Sequence, residues 1–210
     1  MKIVVISGTL GAGKTTFIKN LSKITRRDYC VLENEFGSVN VDRSLLKEDK
    51  NPINVYELTE GCICCSTKGE FASSVLTIAN SIDPDHLLVE PTGVAYLSSI
   101  RKNLSKISYE RIAILDSICI ADGTSLLSVS KNYTDLELDQ LKNAKHIVVS
   151  KSENYSESEK SRVRQEILNI NPSADIFIGD YTKNPTDWFL NLLSSSSLSI
   201  QETPIRNSDS

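Results

Sequence analysis

Gly8-Thr9-Leu10-Gly11-Ala12-Gly13-Lys14-Thr15-Thr16 (GTLGAGKTT, residues 8–16) follows directly on the apolar run KIVVIS at 2–7 and leads into an amphipathic stretch over 14–26. The spacing is G-x-x-x-x-G-K-[ST], and each position has a physical reason. Glycines permit backbone angles that turn successive N–H groups inward and make a nest for phosphate oxygens. Lys14 supplies a point charge to the outer phosphates, Thr15 offers a hydroxyl to Mg2+, and the following helix aims its positive end at the anion. Gly8, Gly11, Ala12, Gly13, Lys14, Thr15 and Thr16 are therefore the candidate phosphate-binding residues, and Lys14 is also a candidate catalytic residue.

Working outward, short β-branched runs alternate with longer amphipathic stretches. The sequence predicts strands over 2–7, 29–33, 53–58, 86–90, 111–120, 145–150 and 174–178. It predicts helices over 14–26, 67–81, 93–104, 134–143, 156–169 and 185–193, with Ser156 and Glu159 forming a capping box in the fifth. Several strands are apolar on both faces, as parallel strands covered by helices must be. The alternation implies an α/β fold: a doubly wound, mostly parallel sheet with right-handed crossovers. One domain over 1–193 is expected, followed by a serine-rich tail over 194–210 with little to bury.

The bulk composition narrows the partners. The 210 residues carry a net charge of −4, and no basic block is longer than Lys23-Ile24-Thr25-Arg26-Arg27. Phosphate-backbone binding needs a concentrated cationic face, so nucleic acid is not the expected partner. No apolar run approaches the roughly 20 residues of a membrane span, and the start of the chain lacks a signal-peptide pattern. A soluble cytoplasmic protein is the expectation. In that compartment thiols stay reduced, and clustered cysteines point to metal or redox chemistry.

A phosphate loop needs a metal-side carboxylate at the end of a neighbouring strand. Glu90 closes the run His86–Glu90 and is followed by Pro91-Thr92-Gly93, where glycine lets the backbone approach a γ-phosphate. Glu90 and Gly93 are the remaining candidate catalytic residues. Asp122 is a competing acid, and Asp116 is placed inside the preceding strand, facing a neighbour. For the base, Ser150-Lys151-Ser152-Glu153 follows a strand. Ser150, Lys151 and Glu153 stand where guanine-specific phosphate-loop proteins usually carry N-K-x-D. A carboxylate there accepts from guanine N1–H and its 2-amino group, whereas adenine offers an acceptor at N1. GTP is preferred over ATP on this reading, although Glu153 is one methylene longer than Asp and Ser150 replaces an amide.

Taken together these residues resemble the CobW/HypB/UreG/MeaB group of P-loop GTPases, and most of all the CobW-type metallochaperone GTPases. The matching pieces come in order: GTLGAGKTT at 8–16, ENEFG at 33–37, GCICC at 61–65 and E-x-T-G at 90–93, with the degenerate S-K-x-E as a fifth. The resemblance spans roughly residues 1 to 190 and implies a P-loop fold of the SIMIBI type. It implies a GTPase that binds GTP and GDP with Mg2+. It further implies a transition metal, often Zn2+, held by Cys62, Cys64 and Cys65 and delivered to a client metalloprotein or cofactor enzyme. Glu33 and Asn34 fall in a switch-like segment, and Asp42 takes the position of a family aspartate near Mg2+. Ser38 stands where relatives often have a second glutamate. Relatives often carry a C-terminal domain and a histidine-rich stretch. Neither is evident here, where His86 and His146 are the two histidines.

The cysteines can also be read without the family. Residues two apart in an extended segment point the same way, so Cys62 and Cys64 can share an ion, while Cys65 needs a turn to join them. Zinc prefers four tetrahedral ligands. Three thiolates leave a position for water, Glu33, Glu60 or a group from a second chain, which suits a cargo ion. Soft donors favour Zn2+ or Cu+ over Mg2+ or Ca2+ and leave Co2+ and Ni2+ open. A redox cluster and packed small residues are the alternatives. Cys30 and Cys119 sit within apolar strands and read as core. The expected activity is a slow GTPase whose nucleotide state changes the 33–42 and 59–68 segments, with a nucleotide-dependent homodimer as one form. A nucleotide- and zinc-dependent regulator, or an activator of a cobalamin enzyme, is the alternative.

Overall fold

The computed structural model describes residues 1–27, 29–33, 54–57, 68–91, 94–107, 111–128 and 132–194. Among these residues eight strands form one sheet: β1 Lys2–Ser7, β2 Tyr29–Glu33, β3 Asn54–Glu57, β4 His86–Glu90, β5 Ala113–Ile114, β6 Ile118–Asp122, β7 His146–Ser150 and β8 Asp175–Ile178. Their order is β3-β2-β4-β1-β6-β7-β8, with β5 paired to β1, and every pairing described is parallel. The helices are α1 Lys14–Thr25, α2 Lys68–Ser81, α3 Leu97–Leu104, α4 Gly123–Leu127, α5 Asp135–Asn143, α6 Glu157–Ile170 and α7 Thr186–Leu192.

Strand alternation builds two cores. In β1, Ile3 and Val5 point to one face and Val4 and Ile6 to the other, all fully buried. Leu87 and Val89 oppose Leu88 in the same way in β4, and Cys119 and Ala121 oppose Ile118 and Ile120 in β6. Helices α2 to α6 cover the first face through residues such as Phe71, Val75, Ile100, Leu141 and Val163. Helices α1 and α7 cover the second, where Phe17 meets the rings of Tyr181 at 5.5 Å and Phe189 at 6.0 Å. Two covered faces explain the unbroken apolar runs. Cys30 and Cys119 are buried free thiols in the first core, and burial pushes the Cys119 thiol up to about 12.

The expected α/β, doubly wound architecture is present, with three local corrections. The run 111–120 is not one strand. It pairs with β1 as β5, breaks at Asp116 and Ser117, and resumes as β6. The break has a cause: the Ser117 carbonyl accepts from the N–H groups of Lys145 and His146, which draws the chain toward β7. Asp116 thus lies between strands rather than inside one. The helix expected from 93 starts at Leu97, with Tyr96 extended before it, and the Ser98 N–H is met across the helix pair by Asp139 at 3.1 Å. Helix α4 carries too few residues to show a period and was not expected. The Ser156–Glu159 capping box is present as read.

Candidate functional site

β4 and β6 flank β1 on opposite sides, so the direction of winding reverses at β1. In open parallel sheets the crevice beyond the strand ends at such a switch point is where ligands bind. Residues 8–13 leave β1 there. Gly8, Gly11 and Gly13 have φ of +145, +73 and +97°, angles that L side chains rarely adopt. Space adds a second constraint at Gly8, because a Cβ there would collide with the Ile120 carbonyl. Gly13 caps α1 through its backbone, and its carbonyl accepts the Phe17 N–H. A turn bond from Ala12 N–H to the Thr9 carbonyl, 3.2 Å, closes the loop. Lys14 is 8% exposed, and its ammonium donates to the carbonyls of Gly8 (3.1 Å) and Thr9 (3.3 Å), folded over the loop it serves. Thr16 is exposed.

Thr15 and Glu90 come together. The Thr15 hydroxyl donates to Glu90 Oε1 at 3.3 Å, joining the first turn of α1 to the end of β4. Two hard oxygen donors side by side, next to a phosphate nest, match the ligand type Mg2+ takes. Glu33 ends β2 level with Glu90 in the parallel register. Asn34, Asp42, Cys62, Cys64, Cys65 and Gly93 lie outside the described residues, as does the serine-rich stretch after Ser194. Among the described residues no group of three His, Cys, Asp or Glu side chains is arranged to hold a metal ion, and no helix is long and apolar enough to cross a membrane.

The 150–153 segment, expected to take the base, sits beside the glycine loop. A Cβ on Gly13 would lie 3.9 Å from that of Ser150. Ser150 is buried and its hydroxyl donates to the Ala121 carbonyl at 3.2 Å, while Lys151 and Glu153 are exposed. Asp122, the competing acid at the end of β6, has partners within the chain. It pairs with Lys151 and caps α4 by accepting from Thr124 N–H at 2.8 Å. Burial pushes the Asp122 carboxyl up, but the Lys151 ammonium and the two Thr124 donors outweigh it and hold the group below the usual carboxylate range.

Sequence reasoning missed the tie between the 150–153 loop and the loop after β8. Ser152 is fully buried, donates to the Val149 carbonyl at 2.7 Å and accepts the Gly179 N–H at 2.9 Å. That bond ties the 150–153 loop to the loop after β8, where Gly179 has φ +136° and Asp180 accepts from Thr182 N–H and hydroxyl. The available signals were a glycine straight after a strand and an Asp-x-Thr spacing that favours a local side-chain cap.

Comparisons with known proteins place the chain in a family. The model of the CobW/HypB/UreG nucleotide-binding domain matches residues 2–178. The zinc chaperone YeiR of Escherichia coli (strain K12) is 35% identical over 163 residues, covering 76% of this chain and 49% of its own length. The zinc-regulated GTPase metalloprotein activator 1 of Schizosaccharomyces pombe is 28% identical over 188 residues, 85% of this chain and 46% of that protein. The chain thus spans about half the length of the curated relatives it matches. In three dimensions HypB from Helicobacter pylori, solved in complex with nickel, superposes with a TM-score of 0.65 at 21% identity, covering 94% of this chain and 90% of that one. A phosphate loop at the sheet's switch point, a Thr–Glu pair beside it and a family match across most of its length lead to one conclusion: the chain belongs to the CobW/HypB/UreG family, whose nucleotide-binding domain it carries.

Proposed function

We propose that this chain is a GTP-hydrolysing metallochaperone domain, spanning residues 1–193, that binds a transition metal and passes it to a client metalloprotein or cofactor enzyme. The observation that carries the reading is the Thr15–Glu90 pair beside the glycine loop, in a chain of this family. Relatives named zinc chaperones and a zinc-regulated activator support zinc as the cargo.

In this reading the amides of Gly8–Gly13 hold the β- and γ-phosphates. Lys14 leaves the carbonyls of Gly8 and Thr9 for phosphate oxygens. Thr15, with Asp42, holds Mg2+, which when bound supplies neutralisation of phosphate charge. Glu90 and Gly93 orient water and read whether the γ-phosphate is present. Positioning and charge stabilisation account for most of what a protein contributes to phosphoryl transfer. Ser150, Lys151 and Glu153 take the base and favour guanine.

Cys62, Cys64 and Cys65 bind the cargo ion, and the segment around Glu33 and Asn34 links the two sites. The topology supports this coupling. β3 precedes the cysteines in sequence and is separated from β1 by β2 and β4. At the usual interstrand spacing its end is roughly 14 Å from that of β1. All these strands are parallel, so β3 ends at the same edge of the sheet as β1. Nucleotide-dependent pairing of two copies, and a flexible role for residues 194–210, belong to the same proposal.

The test is Zn2+ affinity measured with a non-hydrolysable GTP analogue and with GDP. A difference of about tenfold, corresponding to an ordinary coupling free energy, is expected. Equal affinities would remove the coupling. Cys62→Ser should abolish tight Zn2+ binding, and Lys14→Ala should abolish turnover while leaving the thiol site intact.

A further inference from the structure

We propose that Asp122 is a positioning residue for base recognition: its ion pair with Lys151 holds the lysine stem as one wall of the slot that receives the nucleotide base. This rests on the reading of residues 150–153 as the base site.

β6 and β7 pair in register with Asp122 opposite Ser150, so the residue after Ser150 emerges beside the Asp122 carboxylate. Lys151 takes φ +56°, a left-handed conformation that non-glycine residues seldom adopt. Its ammonium meets Asp122 Oδ2 at 2.5 Å. The other carboxylate oxygen, Oδ1, is fixed from the opposite side by Thr124 N–H at 2.8 Å and the Thr124 hydroxyl at 2.6 Å. The carboxylate is therefore aimed as well as charged. The Asp122 side chain is 16% exposed and that of Lys151 49%. The charge is anchored low while half the lysine side chain stays open.

The rest of the loop is pinned beneath it. Ser150 bonds to Ala121, and Ser152 bonds to Val149 and Gly179. With both flanking hydroxyls turned inward, the Lys151 methylenes are the exposed, held surface at this corner. Methylene stems cover flat apolar faces well, and every purine has such a face. Lys151 held by Asp122 thus contributes affinity for any purine, whereas discrimination among base edges belongs to Glu153.

Asp122→Asn separates this role from the helix cap. Asparagine still accepts from Thr124, but it loses the charge and can present its amide N–H to the ammonium. GDP and IDP affinity should both fall about tenfold, the usual scale for a charge-assisted hydrogen bond. Affinity for inorganic tripolyphosphate, which has no base, should hold. The ratio of GDP to ADP affinity should stay as in the wild type, whereas Glu153→Ala should change it. Unchanged GDP affinity, or an equal loss for tripolyphosphate, overturns the proposal. If Asp122→Asn fails to fold, Lys151→Ala replaces it: GDP affinity should fall and tripolyphosphate affinity hold, and the opposite pattern overturns the proposal. Where both variants fold, the double variant should lose no more than Lys151→Ala alone, and additive losses count against it. Wild-type protein that binds tripolyphosphate as tightly as GDP would overturn the base-site reading itself, and this is read before any variant is made.

Discussion

The Thr15 hydroxyl donates to Glu90 Oε1 across 3.3 Å, bridging the start of α1 and the end of β4. The two residues are 75 positions apart, and parallel pairing of β1 with β4 brings them to one point. Thr15→Ala removes one oxygen of this pair and Glu90→Gln removes its charge. Each should lower GTP turnover by about two to three orders of magnitude, the scale seen when one preorganised group is lost from a transition-state site. GDP binding without Mg2+ should stay within about threefold, because an absent metal asks nothing of either side chain. Single-turnover hydrolysis and nucleotide titration with and without Mg2+ check this. Full turnover in both variants would remove the pair from the mechanism.

Gly8→Ala tests the tightest packing in the loop. A Cβ there meets the Ile120 carbonyl, backbone that cannot swing aside, and φ is +145°. The substitution should destabilise the fold by about 2 kcal/mol or more through overpacking and an unsuitable backbone angle. Gly11→Ala has the same kind of φ, +73°, but nothing within reach of its Cβ, and should cost about half as much. Urea denaturation of both variants measures the difference. Equal costs would show that the Ile120 contact is slack.

The α7 helix holds the phosphate-loop helix in place through rings. Phe189 is fully buried, 6.0 Å from Phe17 and 4.7 Å from Trp188. Phe189→Ala should cost about 3–5 kcal/mol of stability, since it leaves a cavity against α1. Chemical denaturation reads the loss directly. A cost below about 1 kcal/mol would mean that α7 docks only loosely on α1.

His86 gives the fold a pH dependence. Burial lowers its pKa from 6.5 to about 4, helped by the charges of Arg27 and Lys2 and of the N-terminal amine, with Asp85 opposing. Arg27 Nη1 lies 3.3 Å from His86 Nε2, a contact that suits an unprotonated nitrogen. The unfolded chain takes up a proton below 6.5 and the folded chain only near 4, so protonation favours unfolding. The contribution is fully present above pH 6.5, is lost as pH falls toward 4, and amounts to about 3 kcal/mol at most by linkage. Denaturation midpoints should fall between pH 7 and 5, a window above the carboxylates, and His86→Gln should flatten that fall. A wild-type midpoint constant across the window would show that His86 takes up its proton alike in the folded and unfolded chains, so that burial does not hold it neutral.

Much of this was legible in the residues. The glycine loop announced itself because its spacing is set by backbone angles and short-range geometry, which a linear sequence records. Apolar runs such as IVVI at 3–6 and LLV at 87–89 named buried parallel strands, because a strand covered on both faces has no polar side to show. The break at Asp116 and Ser117 was not legible. It depends on the Ser117 carbonyl being taken by β7, from residues far along the chain. The pairing of Asp122 with Lys151 was hidden for the same reason: a lone acid at a strand end does not name its partner, and only its register with Ser150 puts it beside Lys151.

The sequence by itself determined the phosphate loop, the α/β alternation and the family of the chain, all of which rest on residue type at short spacing. Tertiary structure alone decided that Thr15 meets Glu90, that Asp122 pairs with Lys151, and that Ser152 ties its loop to Gly179. These pairs lie 75, 29 and 27 residues apart. Their closeness is a property of the strand order, and strand order is fixed by the burial of two whole faces of the sheet, to which no short stretch of sequence corresponds.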